Sequence, residues 1–157
     1  MSSFVSYSTN DIIDIHTEIL KLSQEEGMDG VLNRGSLEIA VAAPSLIVYG
    51  KEIYPDTVSK ISALMYEITT LHPFIEGNKR TGFMVADTLM VLNGRQIVAS
   101  NGEKIAISLG LAKLEIERAE LTEWMGNNSE EMTASNQKQV FKRCLWKNQF
   151  RSRTIIR

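Results

Sequence analysis

The stretch HPFIEGNKRTG, His72 to Gly82, gathers several groups that could do chemistry within a few residues of one another. His72 brings an imidazole, the side-chain type suited to taking a proton from a hydroxyl at neutral pH. Glu76 brings a carboxylate, an oxygen ligand of the kind Mg²⁺ prefers while keeping several of its waters. Lys79 and Arg80 fall where a helix should begin, a place whose partial positive charge makes cations unfavourable by about 0.3–1 kcal/mol each. They suit a bound polyphosphate. The free amides of a helix N-terminus, with Gly77 letting the backbone come close, form an anion nest that two cations deepen. A local rule is then broken where function compensates. Base, metal carboxylate, nest and cations make a site for moving a phosphate-containing group onto a hydroxyl.

Two apolar helices must hold this turn. Asp56 can cap the first, whose stripe Val58, Ile61, Leu64, Met65, Ile68 and Leu71 leaves Lys60 and Glu67 outside. Pro73 disfavours helical geometry at His72, so that helix should end there. The second should run from about Asn78 to Asn93, with Gly94 as its stop. Phe74 is expected to face inward and anchor the turn, and Phe83 to face the core. These two helices are predicted to be the most buried.

Around them the pattern is helical. Ser8 to Asp11 offers N-caps for a helix carrying Ile12, Ile15, Ile19 and Leu22 up to a stop at Gly27. Ser36 can cap a short helix from Leu37 to Ala43, ended by Pro44. Residues 44–56, PSLIVYGKEIYPD, read as an extended or hairpin flap. Further helices are predicted at about 102–112 and 115–125. With no βαβ alternation and no repeat, the expected fold is an all-α compact bundle with one flap.

The chain of 157 residues is ordinary in hydrophobic content, 43%, and should form one main domain. Net charge is only −2, but residues 138–157 hold seven of the cations and none of the acids. The expected division is therefore a body over 1–126 and a basic C-terminal extension over 127–157. There Val140, Phe141, Cys144, Leu145 and Asn148 would share one helical face, with Trp146 and Phe150 adding apolar material. The single cysteine fits a reducing compartment, no secretory leader or membrane span is expected, and the location expected is cytoplasmic. Two histidines and one cysteine give no zinc spacing, and no GxxxxGK[ST] loop is present. His16 reads as a satisfied structural histidine, far from the motif in sequence, whose loss should matter little.

His72-Pro73-Phe74-Ile75-Glu76-Gly77-Asn78-Lys79-Arg80 resembles the Fic/Doc (Fido) motif, H-x-F-x-[D/E]-G-N-[G/K]-R. LNRGSLEIAVAAP, YGKEIYP and FMVADTLMVLNG extend the likeness to the death-on-curing branch over residues 8–126. The resemblance implies a Fido fold and transfer of AMP, phosphate or a related group from a nucleotide to a protein hydroxyl. It implies His72 as general base, Glu76 as Mg²⁺ ligand, and Gly77, Asn78, Lys79 and Arg80 as phosphate-binding residues. The implied cofactors are ATP or another nucleoside triphosphate, with Mg²⁺. Residues 44–56 would align the target backbone by strand addition.

Two departures narrow the activity. AMP-transferring members carry glycine where Lys79 stands and a second arginine where Phe83 stands. The death-on-curing type has the lysine, lacks the second arginine, and phosphorylates protein. Phosphate transfer to a Ser, Thr or Tyr hydroxyl is thus favoured, with AMP transfer or a non-enzymatic interaction module as alternatives. The inhibitory motif [S/T]-x-x-x-E-[G/N] is absent, because Leu22 stands four residues before Glu26-Gly27. A separate antitoxin chain is therefore implied. Nucleic acid is not the expected partner; a regulator acting through the tail would bind it with steep salt dependence.

Overall fold

The computed structural model describes residues 3–24 and 30–145, the side chains of 141–145 excepted. In chain order the elements are α1 Thr9–Leu22, α2 Arg34–Ala42, a 3-10 turn Ala43–Ser45, β1 Ile47–Val48 and β2 Lys51–Glu52. Then come α3 Thr57–Leu71, α4 Asn78–Leu92, β3 Arg95–Ile97, α5 Asn101–Ala112, α6 Arg118–Asn127, β4 Ser129–Glu131 and α7 Ala134–Leu145. Each strand pairs with one other, so the fold is the all-α bundle expected from the apolar periodicity, with a hairpin flap.

Helices α3 and α4 form its centre. Ile61, Leu64, Met65 and Ile68 from one meet Val85, Ala86, Leu89 and Met90 from the other, all fully buried. Gly82 lets the two axes approach: a Cβ there would stand 2.5 Å from Thr69 Oγ1. Around this pair, α2 and α6 flank α3 while α1 flanks α4, and α5 touches both. No helix among the described residues is long and apolar enough to cross a membrane.

The ends of the helices follow their sequence signals, with corrections. Ser8 caps α1 through a capping box with Asp11, but the helix stops at Leu22, leaving that side chain 65% exposed. Asn33, not Ser36, caps α2: its side chain accepts the Ser36 N–H, so the helix starts three residues earlier than predicted. Pro44 then sits in the 3-10 turn. Glu117 caps α6 with Glu120 as its box partner, which moves that helix from the predicted 115–125 to 118–127. Asn93 and Gly94, at φ 81°, end α4 as expected.

Strands β1 and β2 form the flap, pairing Ile47 with Glu52 and Val48 with Lys51. Tyr49 and Gly50 both take positive φ, 49° and 75°, the requirement of the two-residue turn that matches strand twist. Lys60 was expected outside the α3 stripe, yet it is buried beneath the flap. Its ammonium donates to the Pro44 carbonyl at 3.2 Å and to Glu52 Oε1 at 3.1 Å, tying the 3-10 turn that leads into the hairpin to the second strand. Glu67 is likewise engaged, bonded to Arg118, whose guanidinium lies over the Tyr66 ring at 4.7 Å.

The pair β3–β4 had no signal in the sequence. Arg95, Gln96 and Ile97 oppose Glu131, Glu130 and Ser129. Met132 N–H then donates to the Gly94 carbonyl at 2.8 Å, and Gln137 Nε2 to that of Val91 at 3.0 Å. Readings that involve Gly27, Glu26-Gly27, the side chains of Phe141, Cys144 and Leu145, and everything from Trp146 onward lie outside the described residues.

Candidate functional site

The motif occupies the junction of the two central helices. Leu71 ends α3, and His72 takes the left-handed conformation, φ 48° and ψ 60°, because Pro73 bars it from continuing the helix. The imidazole is at the surface and has no hydrogen-bond partner among the described residues. Pro73 and Phe74 are buried immediately after it.

Three sets of contacts hold the turn. The backbone of residues 30–33 runs antiparallel to it: Leu32 and Asn33 donate to the Pro73 carbonyl at 2.8 and 3.1 Å, and Ile75 donates to Gly30 at 3.1 Å. Asn78, buried, returns its side-chain amide to Phe74, accepting the N–H and donating to the carbonyl, both at 2.9 Å. From below, the ring of His16 on α1 stacks on Phe74 with centroids 3.8 Å apart, and its Nε2 donates to the Glu76 carbonyl at 2.7 Å.

Gly77 then begins α4 as its N-cap at φ 76°. Glycine is needed there twice over, for the left-handed backbone and because a Cβ would meet Leu20 Cδ2 at 3.1 Å. Thr81 N–H reaches the Gly77 carbonyl at 2.9 Å, the first regular bond of the helix. The amides before it have no carbonyl one turn back to bond, the condition for an anion site. Glu76, Lys79 and Arg80 all lie exposed around that end, and Arg80 Nη1 donates to Ser23 Oγ at 2.5 Å.

The described residues hold no cluster of three or more His, Cys, Asp or Glu that could cage a metal. Glu76 sets one exposed carboxylate beside the free amides at the start of α4. Mg²⁺ fits such a donor set, since it takes one or two carboxylates together with phosphate oxygens and water.

Next to Lys79 and Arg80 opens an apolar groove of about 570 Å³ between α1, α4 and α5, lined in part by Ile19, Phe83, Ile105 and Lys104. Phe83 was expected in the core. It is half-buried and lines this groove, with the Lys104 ammonium 5.8 Å from its ring centre.

A family model described as Fic/DOC family matches residues 6–90, more than half of the chain. The chain belongs to the Fic/DOC family. It is also 39% identical over 69 residues to a protein named Toxin Doc from Mycolicibacterium smegmatis (strain ATCC 700084 / mc(2)155). That match covers 44% of this chain and 53% of the relative, so the chain spans about half the length of the curated relative it matches.

Within this Fic/DOC chain, the fold brings His72, Glu76, Gly77, Lys79 and Arg80 to one helix junction, as their spacing predicts. Asn78 differs, in that its side chain is turned back onto Phe74 to close the turn. The sequence reading missed His16. It is a satisfied buried histidine, 1% exposed, as expected, but its partner is the motif itself. One signal was available: His16 lies between Ile12 and Ile19 on the core face of α1, where a polar ring must find a partner.

Proposed function

We propose that this chain is a Doc-like protein-modifying transferase that moves the γ-phosphate of a nucleoside triphosphate, ATP by preference, to a Ser, Thr or Tyr hydroxyl. The observation that carries the reading is the junction itself. A turn held from three sides leaves an unpartnered imidazole, a carboxylate and a helix N-terminus with two cations all exposed together.

In this reading the amides of Gly77 to Arg80, with the Lys79 ammonium and the Arg80 guanidinium, seat and orient the triphosphate. Glu76 would hold Mg²⁺, which when bound neutralises phosphate charge. The target hydroxyl attacks the γ-phosphorus and gives its proton to an imidazole nitrogen of His72. The bond from that phosphorus to the bridging oxygen breaks, and nucleoside diphosphate leaves. Lys79 in place of glycine and Phe83 in place of a second arginine support phosphate over AMP transfer. The flap at residues 44–56, whose tip residue Tyr49 is fully exposed, would take up the target backbone as an added strand.

We assign the catalytic unit to residues 1–126 and treat 127–157 as an extension whose first strand is stitched to that unit through β3. The reading also includes a separate antitoxin chain and a cytoplasmic setting. Incubation with cell lysate and ATP labelled separately on the α- and γ-phosphates tests the activity. Protein label arriving from γ is expected; label from α would replace the reading with AMP transfer. No label from either would leave an interaction module.

A further inference from the structure

We infer that His16 is a positioning residue for the motif turn, setting the direction of the peptide between Glu76 and Gly77. The inference rests on the reading of that turn as a phosphate site, because what His16 orients is the first amide of the nest.

A carbonyl oxygen can only accept, so the 2.7 Å contact between His16 Nε2 and Glu76 O requires the proton to sit on Nε2. In a trans peptide the C=O and the following N–H point in opposite directions across one rigid plane. Drawing the Glu76 oxygen inward to His16 therefore turns the Gly77 N–H outward, away from the core. Among the described residues that N–H has no acceptor, so it is held open for a ligand.

The other contacts of the ring act on the same segment. Its face lies against Phe74 at 7° between planes, and its edge faces the position where Gly77 lacks a Cβ, 3.6 Å from Nε2. Asn78 and residues 30–33 hold the turn at Phe74, Pro73 and Ile75, and none of those bonds reaches the 76–77 peptide. With Gly77 permissive in φ, that plane could otherwise rotate. His16 is its restraint.

His16→Phe keeps a ring against Phe74 and removes the donor. His16→Gln keeps an N–H of similar reach and removes the ring. Binding of inorganic tripolyphosphate without metal, followed by calorimetry, should weaken about 10–100-fold in His16→Phe, the range found when a group that orients a metal ligand is removed. His16→Gln should recover most of it. Amide hydrogen exchange should accelerate at Gly77 to Lys79 in His16→Phe while the interior amides of α3 keep their rates. Parent-like binding and exchange in His16→Phe would overturn the inference, as would equal losses in the two variants or exchange rising uniformly across the bundle.

One measurement needs no variant to fold. Long-range ¹⁵N–¹H correlation on the unmodified protein should find His16 protonated at Nε2, and an Nδ1–H tautomer sinks the idea. If the parent fails to bind tripolyphosphate, the phosphate reading of the turn falls, while exchange and tautomer still decide whether His16 restrains the peptide.

Discussion

Asn78 brings both ends of its side-chain amide back to Phe74, four residues earlier, with two bonds of 2.9 Å. A buried helix start is thereby tied to the turn that precedes it, and the amide acts as a stand-in for a strand partner. Asn78→Asp keeps the shape but sets a carboxylate oxygen against the Phe74 carbonyl. We expect a loss of about 1–3 kcal/mol or more in urea unfolding, together with weaker anion binding at α4. A variant within about 0.5 kcal/mol of the parent would show that the turn closes without it.

The crossing of α3 and α4 gives a second test. Gly82→Ala puts a methyl 2.5 Å from Thr69 Oγ1 and should cost about 1–3 kcal/mol by overpacking. That hydroxyl has no hydrogen-bond partner among the described residues, so Thr69→Ala removes the obstacle without orphaning a donor. The double variant should be more stable than the sum of the single losses, and strict additivity in the cycle would refute the contact.

Asp87 makes stability depend on pH. Burial raises its pKa above the ordinary 3.8, and the Lys104 charge offsets this only in part. The folded state therefore holds this proton more tightly than the unfolded chain, and stability from this group is greatest at low pH. It is lost as pH rises from the unfolded value through the folded one. Asp87→Asn should then stabilise the protein at pH 7, with the gain disappearing below about pH 4. Thermal unfolding at the two pH values reads this directly, and an Asn variant less stable at pH 7 would contradict it.

His72 separates strain from chemistry. Its left-handed backbone, φ 48°, suits glycine better than any side chain. His72→Gly should be more stable than His72→Ala by up to about 1 kcal/mol. Both should lose phosphate transfer by about 10²–10⁴-fold if His72 is the base, while Mg²⁺–ATP affinity stays close to that of the parent. Full transfer by either variant would leave the family fold standing and remove the assigned base.

Arg80→Ala addresses the nest. A charged hydrogen bond to phosphate is worth about 1.5–3 kcal/mol, so calorimetry with ATP and Mg²⁺ should show affinity falling about tenfold or more. Unchanged affinity would move the nucleotide elsewhere on the molecule.

The helices and the motif were legible because their signals are local. Apolar spacing along α3 and α4, Pro73 after His72, Gly77 before Asn78 and Gly94 after Asn93 each act within a few residues, where chain geometry decides the outcome. The flap was legible for the same reason, since Tyr49 and Gly50 make their turn alone. Asn33 was overlooked as a cap only because Ser36, an equally good cap type, stands three residues on.

What the sequence determined by itself is thus an all-α chain with the Fic/Doc motif at the turn between its two most buried helices. Tertiary structure decided which distant groups meet that turn and the flap. His16 lies 60 residues from Glu76, and β4 lies 34 residues from its partner strand. Lys60 looks like a solvated cation until the Pro44 carbonyl and Glu52 are folded over it. Pairings of this kind depend on where packed helices bring side chains in space, and periodicity along the chain carries no record of that.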